Sequence, residues 1–165
     1  MESFQERIFA LARAYDLLTK SDWSGADLRS LVETTLAPYA HSHRIDIAGT
    51  STVLRPKFAL AMAAAVQELT TNAAKYGSLS EPNGSLKVHW HTGETGTMRF
   101  EWIESGGPEV RQPARKGFGT KLIQEMLAKD TGWQIEAKYA PAGFQCVIVI
   151  KAGLLSPQDE PPEKR

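Results

Sequence analysis

Four polar side chains recur at helical spacing between positions 68 and 76, inside an otherwise apolar stretch. Glu68 and Asn72 are one helical turn apart, and Lys75 and Tyr76 follow on the next turn. A helix would therefore carry all four on one face. Carboxylate and amide oxygens suit Mg²⁺, and an ammonium group offsets phosphate charge. The spacing indicates a wall for a metal-bound polyphosphate, although an amphipathic surface helix would give the same pattern.

A second group of residues with binding chemistry follows a strand pattern. Glu104 stands at the end of an apolar stretch, and Gly106 and Gly107 come directly after Ser105. Because glycine has no Cβ, this pair would let a flat ligand approach the backbone. A glycine pair on its own more often marks a simple turn, so it gains meaning only beside other binding residues.

The third group opens a helical pattern at Gly117-Phe118-Gly119-Thr120. Backbone N–H groups and the dipole at a helix start bind anions, and Arg115 and Lys116 just before it add positive charge. Three ordered segments of this kind are a more specific signal than any one of them. Together they predict a nucleotide pocket.

The elements that must position these groups are readable from periodicity. One helix is predicted from Pro56 to Tyr76, with proline at its first position and Gly77 as a left-handed cap. A second helix is predicted from Ala26 to Tyr39, capped by Ser24 with Asp27. A seam with a 3.5-residue period predicts a first helix that packs lengthwise on another helix, in a dimer or within the chain. The seam consists of Phe4, Ile8, Leu11, Tyr15 and Leu18.

The period changes to two after position 85, which predicts a hairpin with one buried face. Short strands are predicted at 44–47 and 52–54, joined through Gly49, and a last pair at 134–139 and 144–150, with a helix at 118–129 between the hairpins. This order predicts an α+β two-layer sandwich, a mixed and mostly antiparallel sheet covered by helices on one face. The expected organisation is a linker helix over 1–22, one domain over 23–152 and a loose polar tail over 153–165.

Composition excludes several classes of function. The formal net charge of the 165 residues is zero, so no bulk attraction to nucleic acid or membranes is expected. No apolar run approaches the length of a membrane span, and the chain reads as cytoplasmic. The one cysteine, Cys146, lies in an apolar run and is predicted to be an inert core thiol. Four histidines in two i, i+2 pairs raise a zinc site as a minor alternative, without a cysteine or acid cluster to support it. They are His41, His43, His89 and His91.

The order of these motifs resembles the N, G1 and G2 boxes of the ATPase superfamily shared by gyrase, Hsp90, histidine kinases and MutL. Residues 68–80, 102–108 and 117–120 are similar in detail to the HWE subfamily of bacterial sensor histidine kinases. Residues 7–19 and 23–27 resemble the segment that joins that family's dimerisation helix to its catalytic domain. The resemblance implies the Bergerat sandwich fold and the cofactors ATP and Mg²⁺.

Residue roles follow from the resemblance. It implies that Asn72 binds Mg²⁺ through its amide oxygen and that Glu68 is catalytic, orienting or deprotonating a reacting group. Glu104 would accept a hydrogen bond from the adenine amino group. The other ATP-binding positions that the resemblance implies border the ribose, the base or the phosphates. They are Lys75, Tyr76, Gly106, Gly107, Arg115, Lys116, Gly117, Phe118, Gly119 and Thr120.

Two departures from the family pattern qualify this interpretation. The family's histidine before the N-box glutamate is Gln67 here, which cannot titrate near neutral pH. The phospho-acceptor histidine is expected on a helix upstream of Phe4, so the chain is a kinase fragment or a stand-alone module that binds ATP without phosphorylating itself on the usual histidine.

The expected function is therefore the ATP-binding catalytic domain of a two-component sensor histidine kinase. Its expected partners are the nucleotide, the acceptor-histidine helix, a response-regulator receiver domain and a second copy through helix 4–18. Two alternatives remain open. One is a stand-alone serine kinase of the anti-sigma-factor type, and the other is a non-catalytic phosphotransfer or scaffold module with the same fold.

Overall fold

The computed structural model describes residues 2–110 and 132–151. The helices in these ranges are α1 (Glu2–Lys20), α2 (Leu28–Leu36) and α3 (Pro56–Tyr76), with 3₁₀ turns at Ala37–Tyr39 and Ser78–Ser80. The strands are β1 (Ala26–Asp27), β2 (Arg44–Gly49), β3 (Val53–Leu54), β4 (Ser85–Thr92), β5 (Met98–Ser105), β6 (Gln134–Ala140) and β7 (Gly143–Ile150). The predicted helix at 118–129, the binding positions 115–120 and the tail at 153–165 lie outside the described residues.

Five strands form the main sheet in the order β2-β4-β5-β7-β6. β2 runs parallel to β4, and the other three pairs are antiparallel. The predicted hairpin is present as β4 and β5, with Val88 opposite Trp102 and Trp90 opposite Phe100. The last two strands also pair as predicted. The sheet confirms the expected mixed, mostly antiparallel α+β fold.

Alternation along the strands gives the sheet one apolar face, and α3 contributes to its cover. The apolar side of α3, which is Phe58, Met62, Ala65, Leu69 and Ala73, is buried in the same core as the inward residues of β4 and β5. Cys146 on β7 belongs to this core, and burial raises the pKa of its thiol to about 12. The thiol therefore stays protonated at neutral pH, as an inert core residue should.

The two predicted short strands are present, but they belong to different sheets. β2 joins the edge of the main sheet, whereas β3 pairs with β1 in a separate two-stranded sheet. Gly49 is needed at the end of β2 because a Cβ there would overlap the Trp90 ring. The Trp90 indole Nε1 also donates to the carbonyl oxygen of Thr50 at 2.8 Å. Side-chain packing against Trp90, which local sequence does not reveal, therefore shapes this connection.

The second helix begins later than predicted because Ala26 and Asp27 are paired in β1. Asp27, rather than Ser24, is the N-cap, and its Oδ2 accepts from the Ser30 backbone nitrogen at 2.9 Å. The Ser24 hydroxyl instead donates to the carbonyl oxygen of Ser21. The helix also ends at Leu36, where the chain continues as a 3₁₀ turn containing Pro38.

The first helix packs within the chain, but not through the whole predicted seam. Ala10, Ala14 and Leu18 are buried, and α1 contacts α3. The seam residues Ile8 and Tyr15 are 49% and 47% exposed, and Leu11 is also exposed. Small alanine side chains let α1 lie close to α3, which turns the larger seam residues away from it. The predicted lengthwise packing on another helix is therefore present within the chain, with Leu18 buried in it, and the alternative that the seam serves a dimer stays a prediction.

The Asp27 cap gives a stability prediction. Replacing Asp27 with Ala should lower the free energy of unfolding by about 1 kcal/mol, because the Ser30 N–H loses its acceptor at the helix start. Ser24→Ala is the matched control and should change it by less than about 0.5 kcal/mol. Urea unfolding followed by circular dichroism measures both, and equal losses in the two variants would contradict the cap assignment.

Candidate functional site

The polar wall predicted on α3 is present, but its four residues differ in exposure. Glu68 is only 7% exposed, Asn72 is half-buried, and Lys75 and Tyr76 are exposed. The wall therefore runs from a buried carboxylate to an exposed ammonium and phenol over two helical turns. This gradient suits a ligand that enters from the C-terminal end of α3 and has one end among buried groups.

Gln67, at the position where the resemblance implied a histidine, joins α3 to α1. Its Oε1 accepts from Arg13 Nη2 at 3.0 Å, and its Nε2 donates to Thr71 Oγ1 at 3.3 Å. Both residues of the Arg13–Gln67 bond lie at least partly inside the protein, where hydrogen bonds contribute most. The amide thus fixes the position immediately before Glu68 to the first helix.

Arg13 is a site-adjacent residue that sequence reasoning missed. It is 54 positions from Gln67, and nothing local connects the two. The signal that could have found it is helical periodicity, since Arg13 borders the small residues Ala10 and Ala14 on the side of α1 that packs inward. Its Nε is buried and makes no hydrogen bond within the described part of the chain.

Glu104 is buried at the end of β5, with 4% of its surface exposed. One carboxylate oxygen, Oε2, accepts from the Ser78 backbone nitrogen at 2.8 Å. The other, Oε1, accepts from the Trp102 indole Nε1 at 3.0 Å. Trp102 can reach it because residues two apart on a strand point to the same side of the sheet. The carboxylate therefore bridges β5 and the turn that follows α3.

Burial raises the pKa of the Glu104 carboxyl above its ordinary value of 4.5, and the hydrogen bonds from Trp102 and Ser78 offset part of that rise. Burial dominates because it removes water from the charged form, whereas two neutral donors replace only part of that hydration. Among the described residues no cation forms an ion pair with Glu104. The group is thus held by dipoles, which leaves it sensitive to any further donor that approaches.

The glycines of the site serve close packing in this structure. Gly77 has φ −119° and ψ −151°, so the predicted left-handed cap is wrong. Glycine is required there because a Cβ would collide with the Glu104 carboxylate. Gly106 has φ +72°, and a Cβ on it would lie 2.8 Å from the Asn83 carbonyl oxygen. A Cβ on Gly107 would lie 2.8 Å from the Ser78 backbone nitrogen.

These contacts change the interpretation of the glycine pair. The sequence predicted that Gly106 and Gly107 give a flat ligand room at the backbone. In the structure, the backbone of the segment 77–84 fills the space beside both of them. Their contribution to ligand binding stays a prediction, whereas their contribution to packing the two loops follows directly from the geometry.

The structure brings two of the three predicted groups together. The bond between Glu104 and Ser78 joins the end of β5 to the end of α3, so the polar wall and the buried acid share one end of the domain. The third group, at 115–120, lies outside the described residues. A cavity of about 370 Å³ lies elsewhere and includes none of the predicted positions. Its lining includes Arg44, Asp46, Lys87 and Ser105.

The residues present suit a magnesium ion held mainly by a ligand. Within 2–110 and 132–151, no three histidine, cysteine, aspartate or glutamate side chains cluster as a metal cage would require. Asn72 offers one half-buried amide oxygen. Mg²⁺ is commonly held by one or two protein oxygens together with phosphates and water, so this sparse donor set fits it. His89, one of the four histidines considered for a zinc site, contacts Asp46, with 2.8 Å between Nε2 and Oδ2.

The raised pKa of Glu104 predicts a pH effect on stability. Since the folded state binds this proton more tightly than the unfolded chain, the free energy of unfolding should fall as pH rises from 4.5 through the higher folded pKa. Glu104→Gln should remove that part of the pH dependence, while Glu101→Gln, on the same strand and partly exposed, should keep it. Urea unfolding between pH 4 and 8 measures the difference. Parallel curves for wild type and Glu104→Gln would contradict the assignment.

Comparisons with known proteins agree with this architecture. Residues 1–51 match the family model described as HWE histidine kinase. A blue-light-activated histidine kinase of Brucella anthropi is 37% identical over 148 residues, which cover 87% of this chain and 30% of that protein. Its counterpart in Brucella ovis is 38% identical over 146 residues, with 86% and 30% covered. The chain therefore spans less than a third of the length of these relatives.

Solved structures give the same fold. The histidine kinase domain of the Erythrobacter litoralis EL346 blue-light activated histidine kinase superposes with a TM-score of 0.75 at 16% identity, covering 91% of this chain and 79% of that one. The catalytic domain of the histidine kinase ThkA superposes with a TM-score of 0.58 at 14% identity, covering 76% of this chain and 93% of that one. None of the described helices is both long and apolar enough to cross a membrane. The chain belongs to the HWE histidine kinases and has the fold of a histidine kinase catalytic domain.

Proposed function

We propose that this chain binds Mg-ATP and positions its γ-phosphoryl group for transfer to a histidine on a phospho-acceptor helix. The observation that carries the proposal is the Glu104–Ser78 bond, which holds a buried acid at the same end of the domain as the polar wall of α3. A base-recognising acid and a phosphate-facing wall must lie together for one nucleotide to reach both. Phosphoryl transfer depends mainly on such positioning and on neutralising charge.

The wall of α3 would serve the phosphate end of the nucleotide. The Asn72 amide oxygen would hold Mg²⁺, which, when bound, neutralises charge on the phosphate oxygens. Lys75 and Tyr76, exposed beyond Asn72, would border the phosphates and the ribose. Glu68 would orient or deprotonate the reacting group. Its low exposure supports this role, since a carboxylate held away from bulk water keeps a defined position.

The acid of β5 would serve the base. Glu104 would accept a hydrogen bond from the exocyclic amino group of adenine, with Gly106 and Gly107 at the adjoining backbone. The positions at 115–120 would complete the phosphate end. They are Arg115, Lys116, Gly117, Phe118, Gly119 and Thr120.

The partners follow from the reaction. An acceptor-histidine helix receives the phosphoryl group, and a response-regulator receiver domain takes it onward in a two-component phosphorelay in the bacterial cytoplasm. A homodimer through helix 4–18 remains a prediction, and the exposure of Ile8, Leu11 and Tyr15 is compatible with it. The printed names of the Brucella relatives refer to blue light.

Calorimetry with a non-hydrolysable ATP analogue tests the proposal. Wild type should bind the analogue, and removing Mg²⁺ should weaken binding. Asn72→Ala should lower affinity by about tenfold or more in the presence of Mg²⁺, because a metal ligand is lost. The nucleotide affinity of Asn72→Ala should then depend little on Mg²⁺.

Gln145→Ala, on β7 away from the α3 wall, is the control and should bind as wild type does. Absence of nucleotide binding by the wild type would contradict the proposal and favour the scaffold alternative. Transfer of labelled phosphate to a serine of a partner protein would favour the anti-sigma-factor type of kinase.

A further inference from the structure

The indole N–H of Trp102 has a side-chain carboxylate as its acceptor, rather than a backbone carbonyl. Its side chain is fully buried, and its indole Nε1 donates to Glu104 Oε1 at 3.0 Å. Trp90, on the neighbouring strand of the same hairpin, is also buried, but its Nε1 donates to the Thr50 backbone carbonyl. The two tryptophans of this hairpin are therefore both buried but have different hydrogen-bond acceptors. Trp90 binds the backbone, and Trp102 binds the acid of the candidate site, Glu104.

Two donors hold the Glu104 carboxylate from different elements. Trp102 donates from β5 itself, and the Ser78 N–H donates from the turn after α3. One donor on each oxygen restricts rotation of the carboxylate about its terminal bond. A carboxylate can accept about four hydrogen bonds, so acceptor capacity remains for a ligand. The orientation of that remaining capacity depends on both donors.

Removing the indole donor would have a specific consequence. Oε1 would lose its one described donor while staying buried, and an unsatisfied buried acceptor tends to turn toward another donor or admit water. The Ser78 N–H would still hold Oε2, because it belongs to the backbone. The carboxylate would then pivot about that bond, and its free acceptor positions would no longer have a fixed direction.

We propose that Trp102 is a positioning residue for base recognition. Its indole N–H orients Glu104 so that the carboxylate accepts a hydrogen bond from the 6-amino group of adenine. The inference rests on the proposed function, since it deepens the role given there to Glu104. It goes beyond that role by assigning part of the discrimination between purines to a residue that never touches the ligand.

The test compares two nucleotides and two tryptophans. Calorimetry measures affinity for ATP and for purine riboside triphosphate, which lacks the 6-amino group, in wild type, Trp102→Phe and the matched control Trp90→Phe. Trp102→Phe should lose about tenfold in affinity for ATP, the scale of one charge-assisted hydrogen bond. It should change by less than about twofold for the analogue, because that ligand makes no such bond. Trp90→Phe should leave the ratio of the two affinities unchanged.

A double-variant cycle separates positioning from packing. If Trp102 acts through Glu104, then Trp102→Phe made in a Glu104→Gln background should alter ATP affinity by less than about twofold. An equal loss for both nucleotides in Trp102→Phe, or full additivity in the cycle, would overturn the inference. Wild type that binds neither nucleotide would overturn the proposed function as well. If the wild type prefers ATP over the analogue and Trp102→Phe keeps this preference, only the role of Trp102 would be overturned.

A measurement on the wild type covers the case in which Trp102→Phe does not fold. The Trp102 indole N–H resonance, observed by ¹⁵N–¹H NMR and assigned by its change in Glu104→Gln, reports directly on its acceptor. It should move when ATP binds and move much less when purine riboside triphosphate binds. A response that is the same for both nucleotides would overturn the inference.

Discussion

A buried carboxylate is costly unless donors replace the water it has lost, and this requirement shapes the candidate site. Glu104 meets it with the Trp102 indole on its own strand and the Ser78 N–H at the end of α3. Neither donor carries a charge, so burial still raises the pKa of the carboxyl. The acid is thus stabilised enough to stay inside the protein and still has acceptor capacity. That combination is what recognition of an amino group requires.

Several local features follow from this one contact. Gly77 must lack a Cβ because the Glu104 carboxylate occupies that space, and Gly107 must lack one because the Ser78 backbone does. The loop after β5 can therefore lie directly on the turn after α3. As a result, the helix that carries Asn72 and the strand that carries Glu104 are joined at their ends. Within α3 itself, the Arg13–Gln67 bond ties the same helix to α1. Helix α3 is thus tied both to β5 and to α1.

Periodicity predicted the elements well, because burial on one face imposes a repeat that local sequence displays. The bounds of α3, the β4–β5 hairpin and the last hairpin follow from it. The errors arose where a distant residue decides local geometry. Gly77 is extended because the next residue, Ser78, donates to the side chain of Glu104, 26 positions further along the chain. Ala26 is a strand residue because it pairs with Leu54. Trp102 likewise reads as core, and only the fold reveals that its N–H serves Glu104.

Hydrogen exchange at the Ser78 amide tests the central contact most directly. With a buried carboxylate as its acceptor, this amide in the wild type should exchange as slowly as the paired amides of β5. In Glu104→Ala, whose acceptor is gone, it should exchange much faster, while the α3 amides near Met62 keep their protection. If the wild-type Ser78 amide exchanged as fast as one in the exposed turn at Glu94, the carboxylate would not join β5 to α3, and the proposed arrangement of the site would be wrong.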